Sequence, residues 1–488
     1  MLDWLRKLIG GPSNASIRHA MIRSKYDAAQ YSDEMRRHWA NADALSANSA
    51  NSPQARRDLR NRARYEYANN SYAKGIIDTL SNDIIGQGPT LQFQTNNAEV
   101  NRLVESEFAR WAKSSRLPEK LRLARMARGH TGEAFLMFTT NPGLKGLVKL
   151  DIRMIEADQI ATPDLAMWMN NGTDGIVYDE YDNPLAYHVL KQHPGDLMGP
   201  YLGSTLYDVV PARYILHYFL TDRPGQHRGV PDIVPALNLF AQLRRYTLAV
   251  LAAAETAADF AAVLETPAPA ESGSESAEDL PTLEIMQRMM VPLPEGYHAN
   301  QMKPEQPATT YPEFKAEILN EIARCMHMPY NIAACNSSSY NYASGRLDHQ
   351  TYDKSITVER QMIVDTILDP ILGAWLSEAS KSERFLPDVV RFAGPWSHQW
   401  FFSGREHVDP AKEAAAQAQC LASHTTTLAS EYAKKGLDWQ TQLEQRAVEV
   451  KFTKRLGLVQ ENVPANQDNE SDGETSDTED ASTRSDED

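Results

Sequence analysis

Apolar positions recur every three or four residues through a long alanine-rich stretch, residues 232–264. The stripe consists of Ile233, Leu237, Phe240, Leu243, Thr247, Val250, Ala254, Ala257, Ala261 and Leu264. This period predicts one continuous helix about 50 Å long. Asp232 is its expected N-cap, and Pro235 falls in the first turn, where a missing N–H costs nothing.

A second helical stripe follows an interruption at residues 266–281, which is rich in proline, serine and acid and predicts an exposed excursion. This stripe ends before Pro329 and consists of Phe314, Ile318, Leu319, Ile322, Ala323 and Met326. The two helices and the excursion between them predict a protruding hairpin. A surface hairpin of an enzyme has the same pattern, so the hairpin alone defines no function.

The period of the pattern divides the rest of the chain into helical and extended regions. Helical periods occupy residues 56–80, 101–113, 117–128, 345–380 and 409–450. A bend is expected at Asp369-Pro370, and Gly436 separates two helices of the last segment. Short apolar or alternating runs separated by turns occupy residues 134–139, 147–150, 153–155, 175–178, 185–190 and 214–220. The pattern therefore predicts an α+β fold, with a mostly antiparallel sheet region set into a helical framework.

Charge is distributed unevenly along the chain. The formal net charge is −16, and residues 465–488 carry ten acidic residues and one arginine. We expect this acidic tail to be disordered, with a solubilising or a partner-docking role. One basic cluster stands out in the helix predicted at 56–80, and it consists of Arg56, Arg57, Arg60, Arg62 and Arg64. It could contact phosphate, but a solvated or subunit-contact face is the favoured interpretation.

Neither the cysteines nor the apolar windows point to secretion or a membrane. The three cysteines have no paired spacing, which is typical of a reducing compartment. The most apolar window, residues 246–264, is mostly alanine and contains Glu255 and Asp259, so it is a poor candidate for a membrane span.

No local signature of catalysis is present in the sequence. There is no phosphate-binding Gly-Lys-Ser/Thr loop, and Ser344 lacks the glycine that precedes a nucleophile elbow. Cys325, His327 and Cys335 have no second close pair of zinc ligands. We predict no catalytic, cofactor-binding or metal-binding residues, although an enzyme with dispersed residues has not been excluded.

Three stretches, taken together and in this order, resemble the lambda-type family of phage portal proteins. They are the run from Arg223 to Pro231 (RPGQHRGVP), the run from Ser338 to Arg346 (SSYNYASGR), and the run from His407 to Glu413 (HVDPAKE) followed by Gly436-Leu437-Asp438 and Gln445. The resemblance spans residues 24–450. It implies a ring, expected to be a dodecamer, at one capsid vertex of the virion, through which double-stranded DNA is packaged and later ejected.

The same resemblance implies a division of the chain. An N-terminal arm (1–55) precedes a wing with small strands (56–231), a first stem helix (232–264), a clip (265–310), a second stem helix (311–330), a tunnel loop (331–345), a wing helix and return (346–404), a helical crown (405–456) and the acidic tail (457–488). The expected DNA-facing residues are Asn336, Ser337, Ser338, Ser339, Tyr340, Asn341, Tyr342, Ser344 and Arg346. The expected clip residues facing terminase or an adaptor are Glu271, Glu275, Glu278 and Asp279.

The resemblance also implies partners and a place of assembly. The partners are the large terminase subunit, capsid or scaffold proteins, head-completion proteins and DNA read without sequence specificity, with assembly in the host cytoplasm and no membrane contact. Two other classes remain as alternatives. A capsid-associated scaffold or adaptor would share the helical and acidic character without needing the hairpin, and a DNA-processing enzyme of the phage head would need a carboxylate or histidine cluster.

Overall fold

The computed structural model describes residues 37–162, 172–196, 206–258, 262–265, 298–301, 310–338, 340–381, 386, 397–404, 410–435, 437 and 439–458. The chain divides into two units, residues 1–403 and 404–488. Both helices and antiparallel sheets are present, which confirms the predicted mixture. Within the described ranges no helix combines the length and the apolar character that crossing a bilayer demands.

The first helices, α1 (Ala47–Ala50), α2 (Pro53–Asn69) and α3 (Ser71–Ile85), are delimited by capping side chains. Asn70 ends α2 in an extended conformation, and its side chain then accepts hydrogen bonds from the N–H groups of Tyr72 and Ala73 at the start of α3. The single helix predicted at residues 56–80 is therefore wrong. Asparagine competes with the helical backbone for hydrogen bonds, and here it both stops one helix and caps the next.

The following helices, α4 (Ala98–Ser114) and α5 (Leu117–Thr131), confirm the prediction of helices in this part of the chain. Gly132 ends α5 with a φ of 96°, a backbone conformation that favours glycine. The chain then turns directly into the sheets.

The strands are short and pair antiparallel. They are β1 (Thr90–Gln94), β2 (Glu133–Thr140), β3 (Leu150–Ile155), β4 (Gly172–Thr173), β5 (Ile176–Tyr178), β6 (Pro184–Leu190), β7 (Tyr207–Pro211) and β8 (Ile215–Phe219). One sheet has the order β3-β2-β8 and another the order β4-β5-β6-β7. The run predicted at 153–155 lies within β3, whereas the run predicted at 147–150 overlaps β3 only at Leu150. The prediction missed β1, β4 and β7, and β7 is a mostly exposed edge strand.

Two cores hold these layers together. The larger core packs α3, α4, α5 and the sheet β3-β2-β8 around residues such as Ile76, Phe108 and Trp375. A smaller core lies between the two sheets, where Phe135, Ile176 and Tyr187 are almost fully buried. Burial of such side chains contributes about 1.5–3 kcal/mol each.

A helical hairpin follows, but its first helix is shorter than predicted. Residues Val234–Ala236 form a 3₁₀ turn, and α6 runs over Leu237–Ala258, a length of about 33 Å. After α6 the chain extends as β9 (Ala262–Glu265), which pairs antiparallel with β10 (His298–Gln301). The prediction of one helix through residue 264 is therefore wrong, because cross-strand pairing outweighs the weak helical preference of Val263.

The return helix α7 (Tyr311–Cys325) packs beside α6. The Tyr311 hydroxyl donates a hydrogen bond to Thr247 Oγ1 at 3.1 Å. The Tyr246 ring lies 5.6 Å from the Tyr311 ring and 4.9 Å from the Phe314 ring, measured between centroids. These contacts fix the relative height of the two helices.

After α7 come the short helix α8 (Tyr330–Ala333) and a long helical segment. This segment is α9 (Tyr342–Ile363), a π-helical turn (Val364–Leu368) and α10 (Asp369–Ala379). The change of helix type lies directly before Asp369-Pro370, where the bend was expected. Pro370 has no N–H to donate, and the wider turn accommodates the missing hydrogen bond. A last strand of this unit, β11 (Ser397–Phe401), pairs with β1.

The described residues of the second unit are mainly helical, as predicted. Its helices are α11 (Pro410–Ala422), α12 (Leu428–Lys434) and α13 (Trp439–Arg455). The Thr426 hydroxyl donates to the carboxylate of Glu431 at 2.6 Å at the start of α12.

The junction between α5 and β2 provides a test of how tightly the first unit is packed. A Cβ added to Gly229 would lie 2.1 Å from the carbonyl oxygen of Gly132. We expect Gly229→Ala to lower the free energy of unfolding by about 3 kcal/mol, since backbone cannot yield as a flexible side chain can. Gly373→Ala is the matched control in α10, where an added Cβ meets nothing within 4 Å. It should raise stability by about 0.5–1 kcal/mol. Urea unfolding of both variants measures the difference, and equal stabilities would contradict the prediction.

Candidate functional site

A buried carboxylate at the start of β2 gathers hydrogen-bond donors from three parts of the chain. Glu133 is fully buried, and its carboxylate lies 2.6 Å from Arg228 Nη2, 3.1 Å from Arg60 Nη2 and 3.0 Å from His217 Nε2. The backbone N–H of Gly229 also donates to it at 3.1 Å. We call this set, with Arg56, Asp158 and Asp174, the Glu133 cluster.

The electrostatics of the Glu133 cluster favour the ionised carboxylate. Burial acts to raise the pKa of Glu133, but the Arg228 guanidinium and the hydrogen bond from His217 hold that pKa well below its usual range. Burial lowers the pKa of His217, against the opposing attraction of Glu133. The imidazole stacks between Phe135 and Phe219, at 4.2 and 4.3 Å between ring centroids. The cluster is therefore a packed ionic centre rather than an open acid–base site.

The arginines of α2 divide between the interior and the surface. Arg56 pairs with Asp174, and Arg60 pairs with both Glu133 and Asp158. Both side chains are buried, whereas Arg57 and Arg62 are exposed. The interpretation of the whole cluster as a solvated, subunit-contact or phosphate-contact face is therefore wrong for Arg56 and Arg60, because the folded chain supplies carboxylates for them.

A second ionic centre joins the start of the hairpin to α9. Asp232 lies 3.0 Å from Arg125 Nη1 and 3.3 Å from Arg128 Nε. Arg128 Nη1 lies 3.2 Å from Glu359 and donates to the Tyr218 hydroxyl at 3.0 Å, and Arg125 also pairs with Glu359. We call these five residues the Asp232 cluster. Asp232 was expected to cap the first hairpin helix, but it is held by the α5 arginines, and α6 begins five residues later.

A polar loop connects α8 to α9 and contains most of the predicted DNA-facing residues. Its described part comprises residues 334–338, 340 and 341. Asn336, Ser337, Ser338 and Asn341 are exposed, and Tyr340 is half-buried. The loop is shorter than the predicted range of 331–345, because α8 and α9 take residues from both ends.

Local hydrogen bonds shape the polar loop. The Asn336 side chain accepts from the Ser338 N–H at 3.0 Å, and the Asn341 side chain accepts from the Ser344 N–H at 2.8 Å and caps α9. Burial and the nearby Asp348 raise the pKa of Tyr340, which stays a neutral phenol at physiological pH. Ser344 and Arg346 are exposed on the first turn of α9. The described part of the loop thus exposes mainly hydroxyl and amide groups, and local hydrogen bonds shape it.

Other predicted site residues lie outside the described residues. Ser339 and the side chain of Tyr342 belong to this group, as do all four clip residues, Glu271, Glu275, Glu278 and Asp279. Their assignments stay predictions.

One group of three described side chains has the separation that a metal site needs. It consists of Glu156, Asp158 and His193. Arg64 already lies 2.7 Å from Asp158 and 3.5 Å from Glu156, and Arg60 lies 2.8 Å from Asp158. These arginines neutralise the carboxylates, so the group extends the Glu133 cluster rather than forming a separate metal centre.

The sequence reasoning missed both ionic clusters. One signal was available, since Glu133 directly precedes a run of apolar strand residues, where an unpaired charge is costly. Arg228 lies inside the first stretch that carried the family resemblance, and its burial gives that stretch a structural purpose. The pairing partners of both residues are distant in sequence, so spacing alone did not identify them.

Comparison with known proteins agrees with the resemblance. A family model described as phage portal protein, lambda family, matches residues 33–360. The probable portal protein of Halomonas phage phiHAP-1 is 25% identical over 433 residues, which cover 82% of this chain and 81% of the relative. Portal protein B of Escherichia phage lambda is 21% identical over 359 residues, 67% of each chain.

Solved structures of gene transfer agent particles also align with this chain. A chain from the neck of a native particle, computed with C12 symmetry, is 14% identical with a TM-score of 0.42 and covers 78% of this chain and 94% of its own length. A chain from the native virion is 14% identical with a TM-score of 0.41, covering 78% and 93%.

The family model covers well over half of the sequence, and its members are structural proteins of the phage head. The chain belongs to the lambda family of phage portal proteins. As a portal protein it acts in the packaging of phage DNA.

The Glu133 cluster predicts a strong and pH-dependent effect of one substitution. We expect Glu133→Gln to lower the free energy of unfolding at pH 7 by about 3–5 kcal/mol, because it leaves buried cations without a counter-charge. Glu107→Gln, which breaks a surface pair with Arg110, should cost about 0–1 kcal/mol.

The pH dependence follows from the lowered pKa of Glu133. Its ionised carboxylate contributes stability above the pKa of the unfolded chain, about 4.3, and that contribution is lost as the pH falls through the lower folded value. Denaturant unfolding between pH 7 and pH 3 should therefore show the gap between parent and Glu133→Gln narrowing below about pH 4.3. A gap that stays constant over this range would contradict the assignment.

Proposed function

We propose that twelve copies of this chain form a ring at one capsid vertex, with the polar loop facing double-stranded DNA in the central channel. The observation that carries this proposal is the set of ion pairs that holds the helix after the polar loop. This helix, α9, and the start of the hairpin are tied to the same two arginines of α5 through the Asp232 cluster. A loop held in this way keeps a constant position relative to the hairpin.

The chemistry of the loop suits a moving duplex. Its exposed groups are hydroxyls and amides, which exchange hydrogen bonds with water and phosphate at little net cost. A dense ring of lysines would bind the phosphate backbone tightly and without sequence preference. Arg346 is the cation nearest to the loop in sequence, and we propose that it lies near phosphate or bonds a neighbouring subunit.

The hairpin α6–β9–β10–α7 fits the stem and clip of a portal. We propose that α6 and α7 form the stem and that residues 265–310, with Glu271, Glu275, Glu278 and Asp279, form the clip that meets the large terminase subunit and later the head-completion proteins. In this scheme residues 56–231 belong to the wing and residues 405–456 to the crown inside the capsid. Capsid or scaffold proteins would surround the ring during assembly in the host cytoplasm.

The mass of the purified protein is the first test of this proposal. A ring of twelve chains of 54.7 kDa has a mass of about 660 kDa, and negative-stain images should show an open centre. Light scattering over a range of concentrations measures that mass. A compact monomer or dimer at every concentration, also in the presence of the capsid protein, would overturn the ring.

The DNA-facing role of the loop is tested by adding charge to it. We expect the double variant Ser337→Asp, Ser338→Asp to reduce the yield of DNA-filled heads at least about fivefold, since repulsion between a carboxylate and a phosphate about 4 Å away costs about 1 kcal/mol in water. Ser337→Ala, Ser338→Ala should package like the parent. Ser106→Asp, an exposed serine of α4, controls for added charge elsewhere. Nuclease-protected DNA per particle is the measurement, and equal filling by all variants would remove the loop from the mechanism.

A further inference from the structure

The outer face of α7 carries a stripe of acidic residues. Glu313, Glu317 and Glu321 are four residues apart and exposed, and no described residue forms an ion pair with them. Glu317 and Glu321 lie two positions before and after Leu319, which is buried, so they point away from the core. Glu317 and Glu321 border an open groove of about 740 Å³ along α7, and its other lining residues are Phe314, Ile318, Asn320, Cys325 and, at the far end from Glu313, Arg324.

The opposite side of the hairpin has the complementary character. Arg245 and Leu248 are exposed on α6, three residues apart, and Leu248 is 57% exposed. Thr247 contacts α7 through Tyr311, and Arg245, two residues before it, points to the other side of α6. Arg245 has no ion-pair partner among the described residues. The hairpin therefore presents an arginine and a leucine on one flank, and on the other flank acids beside a groove that Phe314 and Ile318 help to line.

The heights of the two flanks match. The Tyr246 ring packs against the rings of Tyr311 and Phe314, so Arg245 lies level with the first turn of α7. Glu313 belongs to that turn, and Glu317 lies one turn further. Rotation about an axis parallel to the hairpin moves no residue along that axis. In a ring with such an axis, Arg245 of one copy therefore comes level with Glu313 and Glu317 of the next copy.

We propose that the α7 groove is filled by α6 of a second copy of this chain, with Leu248 against Phe314 and Ile318 and with Arg245 paired to Glu313 and Glu317. This inference rests on the proposed ring and names the contact that closes it. The interface is heterologous, since two different flanks meet, and such contacts generate closed rings when the rotation allows it. Charge complementarity favours a second copy over a separate head protein, because the chain itself supplies both halves.

The test is a charge swap measured in the full-length protein. We expect Arg245→Glu to raise the concentration at half-assembly at least about tenfold, because it places like charges across the contact. Glu317→Arg should do the same, and the double variant Arg245→Glu, Glu317→Arg should recover most of the loss. Arg110→Glu on α4 makes the same change in net charge and should assemble like the parent. Native mass spectrometry and light scattering in low and moderate salt give the assembled fraction, with circular dichroism to verify folding.

The outcomes separate this inference from the proposed ring. If the parent assembles and Arg245→Glu assembles equally well, the contact is wrong while the ring stands. A double variant that assembles no better than the single variants would also overturn the pairing. That result is expected if a head-completion protein, rather than a second copy, occupies the groove. If the parent itself stays monomeric with capsid protein present, the proposed ring is wrong, and the contact within it is wrong as well.

Discussion

The geometry of the first unit depends on the burial of ionised Glu133 among Arg60, Arg228 and His217. A lone charge in this interior would be costly, so the folded state requires all of these partners to be in place. Replacing such a centre as a whole with apolar residues is often neutral for stability, whereas removal of a single partner is strongly destabilising. The Glu133 cluster aligns α2, the start of β2 and the segment before α6, which decides where the hairpin leaves the body of the protein.

The Asp232 cluster extends this constraint to the candidate site. Arg125 and Arg128 lie one turn apart on α5. Both arginines pair with Asp232, before the hairpin, and with Glu359, on α9. Arg360, next to Glu359, donates to backbone carbonyls of Asp83, Ile84 and Ser403. A displacement of α9 would break several charge-assisted hydrogen bonds at once. The polar loop is thus mounted on a helix whose position is determined by buried charge as well as by apolar packing.

Local features of the fold could be predicted from the sequence, and long-range ones could not. The α7 stripe, the helix ending at Gly132 and the change before Pro370 depend on neighbouring residues, which the pattern contains. The pairing of β1 with β11 joins residues more than 300 positions apart, and no local pattern encodes it. The prediction of the first hairpin helix was too long for the same reason, since the long-range pairing of β9 with β10 decides where α6 ends. For the candidate site, the pattern indicated a polar loop before α9 but not the clusters that hold it.

Burial of arginine also reduces the positive charge that this acidic portal protein can present to DNA. From sequence, Arg56 and Arg60 belonged to a basic cluster that was favoured as a solvated or subunit-contact face and that could contact phosphate, whereas in the folded chain both pair with internal carboxylates. Arg125, Arg128 and Arg228 also pair with internal carboxylates. Cations that cannot reach solvent release no counterions from DNA and add nothing to nonspecific affinity. The chain therefore uses these five arginines for internal order, and the exposed polar loop that we propose to face DNA presents neutral hydroxyl and amide groups.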